Sequence, residues 1–196
     1  MSAPEPPDLD LATRTGWPAE LRGFLDRFPR GTWDGHVNLG GVARFWLNIH
    51  DGFRGFGGKL DAAAGEFREG QVTPEHFRAW FAPRLDMFLS HLNGHHHIED
   101  HEYFPLFIAR EPRLTRGFEV LERDHEAIHA AMDRMAETAN GFLRAPVGDS
   151  DAMRFAADDY AEASGRLLVM LNRHLDDEED LIVPIILARG ETDLGL

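Results

Sequence analysis

Apolar residues recur at intervals of three and four along most of this chain, which is the spacing of amphipathic α-helices. It predicts four long helices, over about residues 37–67, 73–109, 113–143 and 150–188. Pro74 suits the first position of the second helix, and Gly190 stands just past the end of the fourth. No stretch alternates apolar and polar residues as a half-buried strand does. The pattern therefore predicts an all-α fold, a bundle of four helices joined by short connections.

Two regions depart from this regular pattern. Residues 1–17 are rich in proline and show no apolar period, which predicts a mobile arm, and residues 17–28 predict a short helix. We therefore expect an N-terminal arm with a short helix over 1–35 and the bundle over 36–196. In the first long helix, four glycines between Gly52 and Gly58 indicate either a helix break or a thin wall that admits gas.

In the second helix, one histidine and one glutamate share the direction of the apolar residues. A helix turns by about 100° per residue, so each side chain can be given a direction relative to His95. The apolar stripe lies between about 0° and 80° and comprises Phe77, Phe81, Leu85, Phe88, Leu92 and Leu106. Glu99 falls inside it at about 40°. His96, His97 and His101 fall at about 100°, 200° and 240°, which predicts that they face the sides or the solvent.

The fourth helix repeats this arrangement. His174 and Glu178 lie on its apolar stripe, whereas Glu179 falls about 140° from His174 and outside the stripe. The spacing from histidine to glutamate to proline is the same in the second and fourth helices, ending at Pro105 and Pro184. We interpret the match as an internal duplication of a two-helix unit.

The first and third helices add histidines to the buried side. His50 lies on the first stripe, and His125 and His129 lie on the third. A single histidine on an apolar stripe is more often a hydrogen-bonded core residue than a ligand. Five histidines and two glutamates that converge without a cation, however, cost several kcal/mol. The predicted metal ligands are His50, His95, Glu99, His125, His129, His174 and Glu178. The sequence leaves open whether His91 lies at the rim of the metal site or supports a ligand. His36 and His76 are expected at the surface.

These motifs resemble the hemerythrin-like family, the HHE cation-binding domains. In that family an up-down four-helix bundle supplies a lone histidine, then H-x-x-x-E, then H-x-x-x-H, then H-x-x-x-E or H-x-x-x-x-D. Here the motifs are His50 and the segments 95–99, 125–129 and 174–178, within roughly residues 36–189. The last motif is followed directly by a second carboxylate, so Glu179 is an alternative to Glu178.

The donor types and the resemblance together favour iron. Histidine nitrogen with carboxylate oxygen suits iron or manganese better than copper(I) or calcium, and seven ligands exceed the need of one tetrahedral zinc. They fit two metals bridged by Glu99 and Glu178 with an oxo or hydroxo group. The resemblance implies two Fe per chain, with manganese or zinc as alternatives, and a position where dioxygen, nitric oxide or peroxide binds. Tyr103 either donates a hydrogen bond to this site or packs the bundle.

Three classes of function stay open on these grounds. The first binds dioxygen or a related small ligand, in oxygen, redox or iron sensing or storage. The second is a di-iron enzyme acting on peroxide or nitric oxide, and the third is an interaction module without metal. The formal net charge of −14 argues against nucleic-acid and anionic-membrane partners, and the chain has no cysteine for thiolate chemistry. We expect a soluble, cytoplasmic protein; whether it has a protein partner stays open.

The sharpest expectation concerns two neighbouring histidines. His95→Ala is expected to lose metal, because His95 faces the core, whereas His97→Ala is expected to keep it. Metal content per chain of the purified variants checks this. Equal loss in both would contradict the directions assigned to these side chains.

Overall fold

The computed structural model of the chain describes residues 9–145 and 150–196. The α-helices are α1 (Gly23–Arg27), α2 (Gly41–Arg68), α3 (Pro74–Ile98), α4 (Phe104–Arg110), α5 (Thr115–Arg144), α6 (Ser150–Arg189) and α7 (Glu191–Leu194). A π-helical segment, Glu99–Tyr103, links α3 to α4. The described residues contain no β-strand, and none of their helices is long and apolar enough to cross a membrane. The predicted all-α helix bundle is confirmed.

The chain divides into two compact units; α2, α5 and α6 each contribute a segment to both units, whereas α3 belongs to the second alone. The first unit comprises residues 9–49, Glu99–Asp124 and Arg173–Leu196, and the second comprises His50–Ile98 and His125–Asn172. The predicted third and fourth helices are joined by a connection of which residues 146–149 lie outside the described residues.

The second unit is built around an aromatic cluster. The ring of Phe142 on α5 lies 5.0 Å from that of Phe67 on α2 and 5.1 Å from that of Phe77 on α3. Tyr160 on α6 completes the contacts, edge-on to Phe81 at 5.1 Å. These large side chains, of which Phe81, Phe142 and Tyr160 are fully buried, hold four helical segments together, because each ring contributes apolar area and a favourable edge or offset contact.

The glycines of α2 do not break the helix. α2 is continuous through Gly52 and Gly58, so of the two alternatives given for these glycines the helix break is wrong. Gly57 instead permits a close approach, since a Cβ there would lie 2.4 Å from Leu168 Cδ2 on α6.

In the first unit, the N-terminal segment is part of the core. Leu9, Trp17, Leu21 and Trp33 belong to one cluster with residues of α5 and α6. The Trp17 indole donates a 2.7 Å hydrogen bond from Nε1 to the carbonyl oxygen of Asp177. The prediction of a mobile arm is therefore wrong for residues 9–17, where widely spaced apolar side chains anchor the chain without a helical period. Residues 1–8 lie outside the described residues.

The π-helical segment changes the phase of the buried positions. Pro105 has no N–H to donate to the carbonyl of residue 101, which is compatible with the wider turn at this point. The extra residue of the wider turn sets the following side chains back by about 100°. Phe104 and Phe107 are consequently fully buried, whereas Leu106, which a uniform turn places on the stripe, is only half-buried. The equivalent Pro184 leaves α6 as one α-helix, so the two duplicated segments differ here.

The aromatic cluster generates a stability prediction. Phe142→Ala is expected to lower the free energy of unfolding by about 3–5 kcal/mol, because a buried ring with three aromatic neighbours is replaced by a cavity. Phe155→Ala is the matched control, since Phe155 is 65% exposed, and a change of no more than about 0.5 kcal/mol is expected. Chemical denaturation followed by circular dichroism measures both. Similar losses in the two variants would contradict the packing described.

Candidate metal centre

Histidine and glutamate side chains gather into two groups in the described part of the chain. Within each group, ligand atoms from all members lie within 4.8 Å of one another. One group is His96, His125 and His174, and the other is His50, His95, Glu99 and Glu178. Six of the seven predicted ligands are thus brought together. The seventh, His129, lies beside the first group, with Nε2 at 3.1 Å from His96 Nδ1.

His96 is the residue that sequence analysis placed wrongly. It is fully buried and belongs to the first group, although it was predicted to face the sides or the solvent. The apolar stripe of α3 centres at about 40°, so His95 and His96 flank it at about −40° and +60°. The buried arc of α3 is wider than the stripe of apolar residues, since a helix surrounded by three others buries a wide arc. His97 and His101 are exposed, as predicted.

In the second unit, histidines are paired at distances that suit a shared ion. Nε2 of His50 lies 3.2 Å from Nε2 of His95. Two nitrogens bound to one ion at about 2.0–2.1 Å and roughly at right angles are themselves about 3 Å apart. The rings of His96 and His125 stack with centroids 4.0 Å apart and an interplanar angle of 8°. The first pair therefore presents two ring nitrogens close together, where either a shared proton or a cation would lie, and the second pair places ligand nitrogens within 4.8 Å of each other.

In the first unit, two buried glutamates face each other. Glu99 and Glu178 are both at most 1% exposed. Burial, and then the neighbouring charge of Glu178, raise the pKa of Glu99 well above its usual range. Two carboxylates forced together away from water repel each other, and a bound cation is the arrangement that relieves this while keeping both ionised.

Glu178 also approaches a histidine of the other group. Its Oε2 lies 3.5 Å from Nε2 of His174. On its opposite edge, His174 directs Nδ1 at Asp124 Oδ2, 3.4 Å away. Burial lowers the pKa of His174, but the bonds to Asp124 and Glu178 outweigh it and raise the pKa to about 9. A carboxylate behind a histidine in this way fixes the ring and leaves the other nitrogen for a metal.

Asp124 is a functional candidate that sequence analysis missed. It is buried, and burial raises its pKa, but His174 and Arg14 outweigh this and hold the pKa of the carboxyl below its usual range. Nothing in the local pattern marks it, because its partners lie 50 and 110 positions away in the chain.

Geometry bears on two alternatives left open by the sequence. Glu179 accepts a 2.7 Å hydrogen bond from Arg30 Nη1 and is absent from both groups, which favours Glu178 as the candidate ligand. The ring of Tyr103 lies 4.7 Å from that of Trp46 and packs against the core. Tyr103 is therefore an aromatic packing residue.

The donor set fits a transition-metal ion. Neutral imidazole and carboxylate are the ligands that suit iron, manganese and zinc, and the chain has no cysteine to supply the thiolate ligand that copper(I) prefers. The residues in position to hold such ions are those of the two groups, with His129 beside them.

Comparison with known protein families also indicates a cation-binding protein. The profile of the hemerythrin HHE cation binding domain matches residues 42–187. The chain therefore belongs to the hemerythrin HHE cation-binding family, and its fold is that family's helical bundle. Comparisons with curated proteins and with solved structures gave no match.

The corrected position of His96 generates a prediction. His96→Ala is expected to reduce bound metal, because a buried ring within 4.8 Å of two other histidines is removed, whereas the exposed His97→Ala is expected to leave it unchanged. Elemental analysis of both variants, after reconstitution with excess metal, measures the effect. Retention of the wild-type content in His96→Ala would remove His96 from the set of ligands.

Proposed function

We propose that this chain is a non-haem di-iron protein that binds dioxygen or a related small ligand, nitric oxide or peroxide, within its helix bundle. Its role is then in oxygen, redox or iron sensing or storage. The observation that carries the proposal is the division of histidine and glutamate ligands into two adjoining groups. Iron supplies one-electron redox chemistry and an affinity for such ligands when it is bound.

The division between the two groups supports two ions rather than one. Each group offers three or four ligand atoms, which is the number that holds one ion with room for a further ligand. Glu178 belongs to one group and approaches His174 of the other. A carboxylate in that position has two oxygens with which to bridge two ions.

The residues around the histidines favour a protected site. Phe53 packs its ring 5.1 Å from that of His95 and edge-on to Phe88. These rings are buried and exclude water from one side of the His50–His95 pair, so a small uncharged ligand meets an apolar surface there.

The first experiment measures the metal. Protein produced with ample iron is expected to contain about two iron ions per chain, because this many ligands exceed the needs of one ion. Elemental analysis and protein quantification give the ratio, with His97→Ala as a control that retains it. Fewer than one ion per chain after reconstitution would contradict the two-metal proposal.

The second experiment separates binding from turnover. Dioxygen is added to the anaerobic, iron(II)-loaded protein, and the optical spectrum is followed before and after degassing. A spectral change that reverses on degassing supports a binding or sensing role. Irreversible oxidation by dioxygen, together with repeated turnover when peroxide or nitric oxide is added to the same protein, would instead identify the enzyme alternative.

Metal binding is also expected to stabilise the fold. At a free metal concentration of about 100 times Kd, the gain is about 2.7 kcal/mol for one site that is absent from the unfolded chain. Thermal unfolding with and without a chelator measures it as a fall in Tm on metal removal. An unchanged Tm in a chain shown to hold metal would mean that the unfolded chain binds the metal as tightly as the folded one.

A further inference from the structure

We propose that Arg14 is a positioning residue for the metal centre: it holds Asp124, and through Asp124 it fixes the His174 ring with Nε2 turned toward the ligands. Arg14 lies in the N-terminal segment and outside the matched residues 42–187. The inference rests on the proposed function, in which His174 is a metal ligand. It means that a residue outside the region matched by the family profile supports the metal centre.

The contact between Arg14 and Asp124 is two-pronged. Nη1 donates to Asp124 Oδ1 at 2.9 Å, and Nη2 donates to Oδ2. The arginine side chain is fully buried and that of Asp124 is 2% exposed. A planar guanidinium that meets a carboxylate in this way fixes the plane of the carboxylate as well as its position.

The same carboxylate oxygen faces His174. Asp124 Oδ2, which accepts from Arg14 Nη2, is the oxygen that lies 3.4 Å from His174 Nδ1. Because an ionised carboxylate accepts and does not donate, the proton of the neutral ring lies on Nδ1. Nε2 is then the nitrogen left for a metal, and it is the nitrogen that faces Glu178.

Arg14 is itself held by several independent contacts. Its Nε donates to Asp177 Oδ2 at 2.6 Å, and its Nη1 donates to the carbonyl oxygen of Leu9 at 3.2 Å. Its guanidinium lies over the Trp17 ring, 5.3 Å from the centroid. These contacts hold the guanidinium in place independently of Asp124. The orientation of His174 therefore depends on the folded N-terminal segment.

The test compares two arginines that share one partner. Arg14→Gln removes the guanidinium from both Asp124 and Asp177. Arg173→Gln is the matched control, because Arg173 also donates from Nε to Asp177 Oδ2, at 2.7 Å, and none of its described contacts is with Asp124. Both variants break a charged contact with Asp177, and only the first removes the support of Asp124.

Two readouts are measured on the full-length chain. The first is the affinity for iron(II), which is expected to fall by about 10-fold to 100-fold in Arg14→Gln and to stay near the wild-type value in Arg173→Gln. The second is the solvent exchange of the His174 Nδ1–H proton in the metal-free protein, followed by NMR. It is expected to accelerate in Arg14→Gln alone.

Equal effects of the two variants on both readouts would overturn the proposal and reduce Arg14 to a structural anchor, as would wild-type behaviour of Arg14→Gln. If Arg14→Gln does not fold, Arg14→Lys replaces it, since it keeps the charge but loses the two-pronged contact. A smaller change in the same direction is then required, and behaviour equal to Arg173→Gln overturns the proposal.

The outcomes also separate this inference from the function it rests on. A wild-type chain that binds no iron contradicts the proposed function. The exchange measurement needs no metal, so unchanged exchange in Arg14→Gln overturns the positioning role whatever the wild-type chain binds.

Discussion

The burial of carboxylates away from water is the constraint on which the first unit depends. Asp124 and Asp177 are each met by an arginine, and Asp124 accordingly has a lowered pKa. Glu99 and Glu178 face each other, and the pKa of Glu99 is raised. Charges that are desolvated must be compensated, and the fold does this for the aspartates with side chains of its own. For Glu99 and Glu178, a cation bound by the two groups of ligands would compensate the charge.

Much of the fold and part of the candidate metal centre could be predicted from the sequence, for identifiable reasons. The periodic apolar stripes located the four long helices, and the same directions placed His174 and Glu178 among the buried residues. Those predictions succeed because α6 turns uniformly. They fail where the geometry is not uniform, as at Leu106 after the π-helical segment, and where the buried arc is wider than assumed, as at His96.

The residues that sequence analysis missed depend on contacts distant in the chain. Arg14 lies 110 and 163 positions from its two carboxylate partners, and its own neighbours show no helical period. The absence of periodicity predicts a mobile segment. In residues 9–17, however, a few large apolar side chains and one buried ion-pair network suffice to order the chain. The local spacing of apolar residues predicts helices. Order that depends on contacts between distant residues is seen only in the folded structure.

The π-helical turn at Glu99–Tyr103 also limits how this sequence can vary. Substitutions within the turn must preserve the buried character of Glu99, and the number of residues in the turn is tied to its geometry, because the wider turn takes up one extra residue. Deleting one residue there would restore a regular turn and leave Phe104 and Phe107 facing the core, because the extra residue and the roughly 100° that the wider turn takes up are lost together. In related chains, an alignment gap of one residue at these positions would thus mark a bundle that lacks the π-helical turn but keeps the phase of its end.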